Sequence, residues 1–142
     1  MLLTLNEDVR VIIIKIADRL HNMQTLSSMP YEKQIQKASE TLYIYAPLAH
    51  RIGLYNIKTE LEDLGLKYTD PDTYDEISEK LIESKKDQDE YIKKFNSIIS
   101  STLTKEKLKY SIKGRTKSIF SINNKMIRQG ISFEEVCMIN LL

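Results

Sequence analysis

Residues 8–26, DVRVIIIKIADRLHNMQTL, restrict the possible folds of this chain most strongly, because they combine a helical apolar pattern with polar residues on a regular face. Asp18, Asn22 and Thr25 are spaced i, i+4 and i+7, so a helix would place them within about 60° of each other. The opposite arc is apolar and consists of Ile12, Ile13, Ile16, Leu20 and Met23. The pattern predicts a helix that carries three polar side chains on one face.

The first half of this helix is apolar on every side, because Val11 and Ile14 lie on the same face as Asp18. A helix that is apolar all round is typical of a buried position, so we expect it to be central in the fold. An ionised aspartate left unpaired in a dry interior costs several kcal/mol. We therefore expect Asp18 to meet a cation, which is either a metal ion or a basic side chain. The candidates for a core ion pair are Lys15, Arg19 and Arg51.

Composition places the 142-residue chain among ordinary globular proteins, with 42% hydrophobic and 29% charged residues. Cys137 is the only cysteine. This excludes an internal disulfide framework and a cysteine-rich zinc site, and it fits a reducing cytoplasm. Apolar runs such as Val11 to Ile14 are far too short to span a membrane, and the first residues do not resemble a signal peptide. We expect a cytoplasmic protein without membrane contact.

Positive charge is concentrated between residues 103 and 130, although the net charge of the whole chain is only +1. This stretch holds eight basic residues against the single acid Glu106, a local charge of +7. Such a concentration suggests a polyanionic partner, namely phosphate groups or nucleic acid. A solvated lysine-rich surface is the alternative interpretation.

Apolar periodicity and chain-breaking residues predict helices at about 8–26, 31–50, 54–68 and 72–103. Pro30 ends the first helix, and Pro47 predicts a kink or break near residues 43–47 of the second. Residues 83–90 are entirely polar, so the fourth segment is either one long helix that bridges two bodies or two helices with a bend, with a domain boundary nearby. After it, alternation from Lys107 to Gly114 predicts a strand. A helix over 117–128 follows, and another element begins at Phe133.

The helix over 117–128 has a basic face. Lys117, Ser121, Lys125 and Arg128 recur at i, i+4, i+8 and i+11, and Ile119, Ile122 and Met126 lie opposite. Arg115 precedes the helix N-terminus, where free N–H groups and the helix dipole favour anions. The arrangement favours polyphosphate binding, with an exposed basic helix as the alternative.

Together these segments resemble the RelA/SpoT family, the enzymes that make and destroy (p)ppGpp, the alarmone of the stringent response. The resemblance rests on four stretches in register: KIADRLHNMQT (15–25), ETLYIYAPLAHRIG (40–53), IKTELEDLGLKY (57–68) and GRTKSIFSINNKM (114–126). It implies a mainly α fold. Residues 1–70 would be the C-terminal part of an HD-type all-helical hydrolase domain, 71–104 a connecting helical segment, and 105–142 the first strand and helix of an α/β nucleotidyltransferase-like synthetase domain.

The resemblance also implies roles for the residues already singled out. Asp18 matches the last ligand of a hydrolytic Mn²⁺ ion, which removes the 3′-pyrophosphate of (p)ppGpp, and Asn22 and Thr25 match positions that contact this nucleotide. The synthetase transfers pyrophosphate from ATP to GDP or GTP. Its ATP contacts match Arg115, near the adenine, and Lys117, Ser121, Lys125 and Arg128, near the phosphates; Ser118 stands where many members have His.

Two departures from the family pattern concern the metals. The chain has no His-Asp dipeptide to supply the other manganese ligands, and Met138 stands where the family has a magnesium-binding aspartate. We therefore expect an internal fragment of a bifunctional synthetase/hydrolase that is inactive alone and open to self-association or to pairing with a complementary fragment. The alternative is a non-catalytic nucleotide-binding or regulatory partner of a full-length relative. A nucleic-acid-binding domain is disfavoured, because the basic face lacks interleaved aromatic residues.

Overall fold

The computed structural model describes residues 8–112 and 117–139, and all regular structure within these ranges is helical. The chain divides into two compact units, residues 1–75 and 76–142. The helices are α1 (Val9–Gln24), α2 (Tyr31–Glu40), α3 (Ala46–Arg51), α4 (Tyr55–Thr69), α5 (Pro71–Lys105), α6 (Ile119–Gln129) and α7 (Phe133–Ile139). A 3₁₀ turn, Leu26–Ser28, follows α1, and a π-helical segment, Thr41–Tyr45, joins α2 to α3. The prediction of a mainly α fold is confirmed.

The ends of α1 follow from local chemistry. The Asp8 side chain accepts a hydrogen bond from the backbone N–H of Arg10 at 3.0 Å, which satisfies a donor that the first turn leaves unpaired. At the other end, Thr25 adopts a non-helical conformation, and Pro30 precedes the start of α2. The predicted bounds of this helix are therefore correct to within two residues.

The predicted break before Pro47 is present as the π-helical segment Thr41–Tyr45. Proline has no N–H, and its ring collides with the carbonyl four residues earlier in an unbroken α-helix. The wider π turn places the proline in the first turn of α3, where the missing N–H is not required. Thr41 is fully buried there, and its hydroxyl donates to the Lys37 carbonyl oxygen at 2.7 Å.

The core of the first unit is apolar and lies between α1, α2, α3 and α4. Its fully buried members are Ile16, Met23, Leu26, Ala38, Ala46, Ala49 and Leu61. Gly65 of α4 allows the π-helical segment to approach closely, because a Cβ atom at this position would lie 2.6 Å from Cγ and Cδ2 of Leu42. Packing therefore explains why glycine occupies position 65, although its φ is not positive.

The second unit has its own apolar cluster, formed by Ile77, Ile122, Phe133 and Val136. Helix α5 is one continuous α-helix of 35 residues, which was the first of the two alternatives predicted for this segment. Helix α7 begins with a reciprocal cap, in which Ser132 N donates to Glu135 Oε2 at 2.8 Å and Glu135 N donates to Ser132 Oγ at 3.3 Å.

Two expectations about this fold were wrong. Residues 108–112, predicted as part of a strand, have no regular secondary structure, because a strand requires a partner and the described ranges contain none. The first half of α1 was expected to be central, but Val9, Val11, Ile13 and Ile14 remain 41–67% exposed. Only one side of α1 packs on the core.

Candidate functional site

Asp18 and Asn22 of α1 form a pair on the surface of the first unit. Asn22 Nδ2 donates a hydrogen bond to Asp18 Oδ2 at 3.0 Å, one helical turn away. Asp18 is exposed and Asn22 is half-buried. The helix therefore presents a carboxylate whose orientation is set by a neighbouring amide.

Thr25 lies on the same side at the end of α1, but its side chain is turned to the backbone. Its hydroxyl donates to the carbonyl oxygen of His21 at 3.1 Å, and its own N–H donates to the same oxygen at 3.2 Å. The structure thus brings Asp18 and Asn22 into contact, while the Thr25 hydroxyl donates to the helix backbone. Asp18 and Asn22 therefore share one face of α1, and Thr25 follows at its C-cap.

The prediction that Asp18 is buried was wrong, because the polar residue that enters the core is its neighbour. Arg19 is only 8% exposed, and its Nη2 donates to Glu40 Oε2 at 3.0 Å. Its guanidinium carbon lies 4.1 Å from the centre of the Tyr45 ring. At 100° per residue, Asp18 lies about 160° around the helix from the buried Ile16, and this places it in solvent.

Arg19, named from the sequence as a possible core ion-pair partner of Asp18, is the buried charged residue of α1, and its partner is Glu40. The signal for the burial of Arg19 was its spacing, since Ile16, Arg19 and Met23 follow i, i+3 and i+7 and share the buried arc. Burial raises the pKa of Glu40, but the hydrogen bond from Arg19 and the charge of Lys37, whose Nζ is 3.5 Å away, outweigh it and hold that pKa below its ordinary value. Arg19 Nη1 is buried without a hydrogen-bond partner among the described residues. The cluster connects α1 to α2 and to the π-helical segment.

A second ion pair, partly buried, lies within α4. Lys58 Nζ lies 2.7 Å from Glu62 Oε2, and Glu62 is 9% exposed. Burial raises the pKa of the Glu62 carboxyl group, against the opposing effect of Lys58.

The residues around Asp18 do not complete a metal centre within the part of the chain that the structure describes. Divalent metal sites of hydrolytic enzymes usually have three or four protein ligands. The described ranges contain no group of three or more His, Cys, Asp or Glu side chains placed to hold a metal ion. Asp18 by itself therefore offers one oxygen ligand and does not fit a complete site.

The N-terminal end of the basic face of α6 differs from the prediction. Ser118, in extended conformation, is the N-cap, and its Oγ accepts from the N–H of Ser121 at 3.3 Å. Lys117 therefore precedes the helix, so helical spacing does not fix its position relative to the rest. Ser121, Lys125 and Arg128 remain on one side at i, i+4 and i+7.

The opposite side of α6 packs as predicted. Ile122 is 2% exposed, and Ile119 and Met126 pack against the second cluster. Gly130 ends the helix in the left-handed conformation, with φ of 62°. Among the residues of the predicted basic face, Lys117 and Arg128 are exposed, whereas Ser121 and Lys125 are half-buried. The Ser121 hydroxyl accepts a hydrogen bond from Ser118 Oγ at 2.8 Å.

Two further predicted positions cannot be placed. Arg115 lies outside the described residues, and of Met138 only the backbone, within α7, is described. Among the described residues, no helix has the length and apolar character needed to cross a membrane.

Comparison with known proteins gives matches on both units. A family model described as an HD domain matches residues 1–55. The chain is 45% identical over 136 residues to the GTP pyrophosphokinase of Myxococcus xanthus, and 43% identical to the bifunctional (p)ppGpp synthase/hydrolase RelA of Mycobacterium tuberculosis. The GTP pyrophosphokinase rsh of Brucella abortus is 40% identical.

Each of these alignments covers 96% of the chain but only 18% of the relative, so the chain spans less than a fifth of the length of the curated proteins it matches. The alignments include both the Asp18 face and the basic helix, in agreement with the four stretches that suggested the resemblance. This similarity across both units shows that the chain belongs to the RelA/SpoT family.

Proposed function

We propose that the chain carries one side of a (p)ppGpp 3′-pyrophosphohydrolase site and the first phosphate-binding helix of a pyrophosphate-transferring site, and that it completes neither alone. The observation that carries this proposal is the 43% identity over 96% of the chain to a protein named as a bifunctional (p)ppGpp synthase/hydrolase. The exposed Asp18–Asn22 pair supports the first part, because it lies within residues 1–55, which match the HD domain.

In the hydrolase site, Asp18 would contribute one carboxylate ligand to a Mn²⁺ ion whose remaining ligands come from other residues. A bound metal of this kind polarises a phosphoryl group and activates water. Asn22 would orient the Asp18 carboxylate through the 3.0 Å hydrogen bond. Thr25 would face the nucleotide once its hydroxyl is released from the His21 carbonyl oxygen.

In the synthetase part, α6 would contact the phosphates of ATP. Lys117, Lys125 and Arg128 supply the positive charge, and the buried Ile122 side fixes the helix on its unit. Arg115 would stack on or contact the adenine. Mg²⁺ would be held by residues other than Met138, because a thioether is a poor ligand for a hard cation.

Activity assays test the incompleteness of both sites. The purified chain should show no turnover of ppGpp with Mn²⁺ and no product from ATP and GDP with Mg²⁺. If ppGpp is hydrolysed and the Asp18→Ala variant abolishes this activity, the chain completes its own hydrolase site and the proposal is wrong.

The alternative function, a nucleotide-binding or regulatory module without catalysis, is favoured by the basic face of α6. It predicts that ATP or ppGpp raises the melting temperature of the chain. Lys117→Glu combined with Arg128→Glu should abolish this shift. Lys85→Glu combined with Lys86→Glu, which makes the same charge change on exposed residues of α5, is the matched control and should retain it. Equal shifts in all three proteins would exclude α6 as the binding surface.

A further inference from the structure

The exposed side of α1 carries a basic, an apolar and an acidic residue at equal spacing. Ile14 is 67% exposed, and Val11 beside it is 41% exposed. Arg10 precedes Ile14 by four residues and Asp18 follows it by four, so one side of the helix reads positive, apolar, negative. With a rise of about 1.5 Å per residue, the two charges lie about 6 Å on either side of Ile14.

We propose that this side of α1 is the contact surface for a second copy of the same chain, with the two α1 helices antiparallel and Ile14 on the two-fold axis. In this arrangement Ile14 packs on Ile14 of the partner copy, and Arg10 of each copy lies opposite Asp18 of the other. An isologous contact needs a self-complementary surface. The order positive, apolar, negative is self-complementary only when the helices are antiparallel.

The charges that form this contact are accessible in the single chain. The Arg10 side chain is 88% exposed, and its contact with Asp8 is a surface ion pair at 3.7 Å, which contributes little. Asp18 is exposed, and the neutral Asn22 donates a hydrogen bond to its carboxylate. The two intermolecular ion pairs therefore form without breaking a buried interaction.

The size of the surface sets the strength of the contact. Helix α1 has 16 residues and a length of about 24 Å. Two helices of this length bury less than the roughly 1,200 Å² of a standard interface, so the association is weak and reversible. It covers Asp18, so the dimer and the proposed metal site exclude each other. The contact itself depends only on the α1 surface and stands whether or not the proposed function is correct.

Sedimentation velocity of the full chain from about 5 to about 500 µM tests the association, a range chosen for a weak interface. We expect a monomer–dimer equilibrium in that range. Ile14→Lys should raise the dissociation constant about tenfold or more, because it places two like charges on the axis. Ile82→Lys, at a residue of α5 with 70% exposure, is the matched control and should leave the constant unchanged. Circular dichroism establishes that each variant is folded.

Charge exchange tests the antiparallel register. Arg10→Glu alone and Asp18→Lys alone should each weaken self-association, because both place like charges opposite each other. A mixture of the Arg10→Glu and Asp18→Lys chains should form a heterodimer, in which both cross-pairs are again of opposite charge. A monomer at every concentration, a dimer that Ile14→Lys leaves unchanged, or a mixture that associates no better than its components would each overturn the proposal.

Discussion

Replacing Gly65 by alanine tests whether the close approach of α4 to the π-helical segment determines the stability of the first unit. Two effects oppose each other. Alanine is favoured over glycine in a helix by about 1 kcal/mol. Against this, its Cβ would lie 2.6 Å from Cγ and Cδ2 of Leu42, which is well inside van der Waals contact. Overpacking of this kind costs about 1–3 kcal/mol. We therefore expect Gly65→Ala to lower the free energy of unfolding by about 1 kcal/mol.

The sign of this effect should reverse when the obstacle is removed. In a Leu42→Ala background, the methyl group at position 65 enters space that the leucine side chain leaves. Only the helix propensity then remains, and Gly65→Ala should raise the free energy of unfolding by up to about 1 kcal/mol. Residues in direct contact give such non-additive effects in double-mutant cycles.

Urea unfolding followed by far-UV circular dichroism measures the four proteins of this cycle. The coupling free energy should be about 1–3 kcal/mol, equal to the overpacking term. If Gly65→Ala stabilises the wild-type chain as much as it stabilises the Leu42→Ala variant, Leu42 does not limit how closely α4 approaches the π-helical segment. The packing explanation of Gly65 is then refuted.

Three further predictions concern individual interactions. Glu40→Gln should destabilise the chain at neutral pH by about 1–3 kcal/mol, because it leaves the charge of Arg19 buried without its anion. The pKa of Glu40 is held below its ordinary value of 4.5, so the stability that its charge provides is present above pH 4.5 and is lost as the pH falls through the folded-state pKa. Urea unfolding of the wild-type and Glu40→Gln proteins should therefore show a difference in unfolding free energy at pH 7 that shrinks at pH 3. Leu61→Ala should cost about 2–5 kcal/mol, because the side chain is fully buried, and a loss below 1 kcal/mol would contradict its place in the core. Ser118→Ala should cost about 1 kcal/mol through loss of the α6 cap, whereas Ser118→Gly should cost only a few tenths in the same measurement.

The sequence predicted helix positions well, because helix ends depend on local chemistry. Asp8, Pro30 and Gly130 each satisfy or prevent a backbone hydrogen bond within a few residues of their own position. Pro47 predicted the break that the π-helical segment Thr41–Tyr45 provides. The packed side of α6 was also predictable, because its apolar residues occupy a single arc.

The sequence by itself also determined the family, because the four stretches in register identify it independently of how the chain packs. Only the tertiary structure decided which side of α1 is buried, because both arcs carry large apolar residues and periodicity cannot rank them. The packed arc includes Arg19, which Glu40 and Tyr45 of other segments accommodate, and Asp18 consequently lies in solvent. The strand expected from Lys107 to Gly114 also depended on the tertiary structure. Alternation shows that a segment is able to pair but not that a partner strand is present.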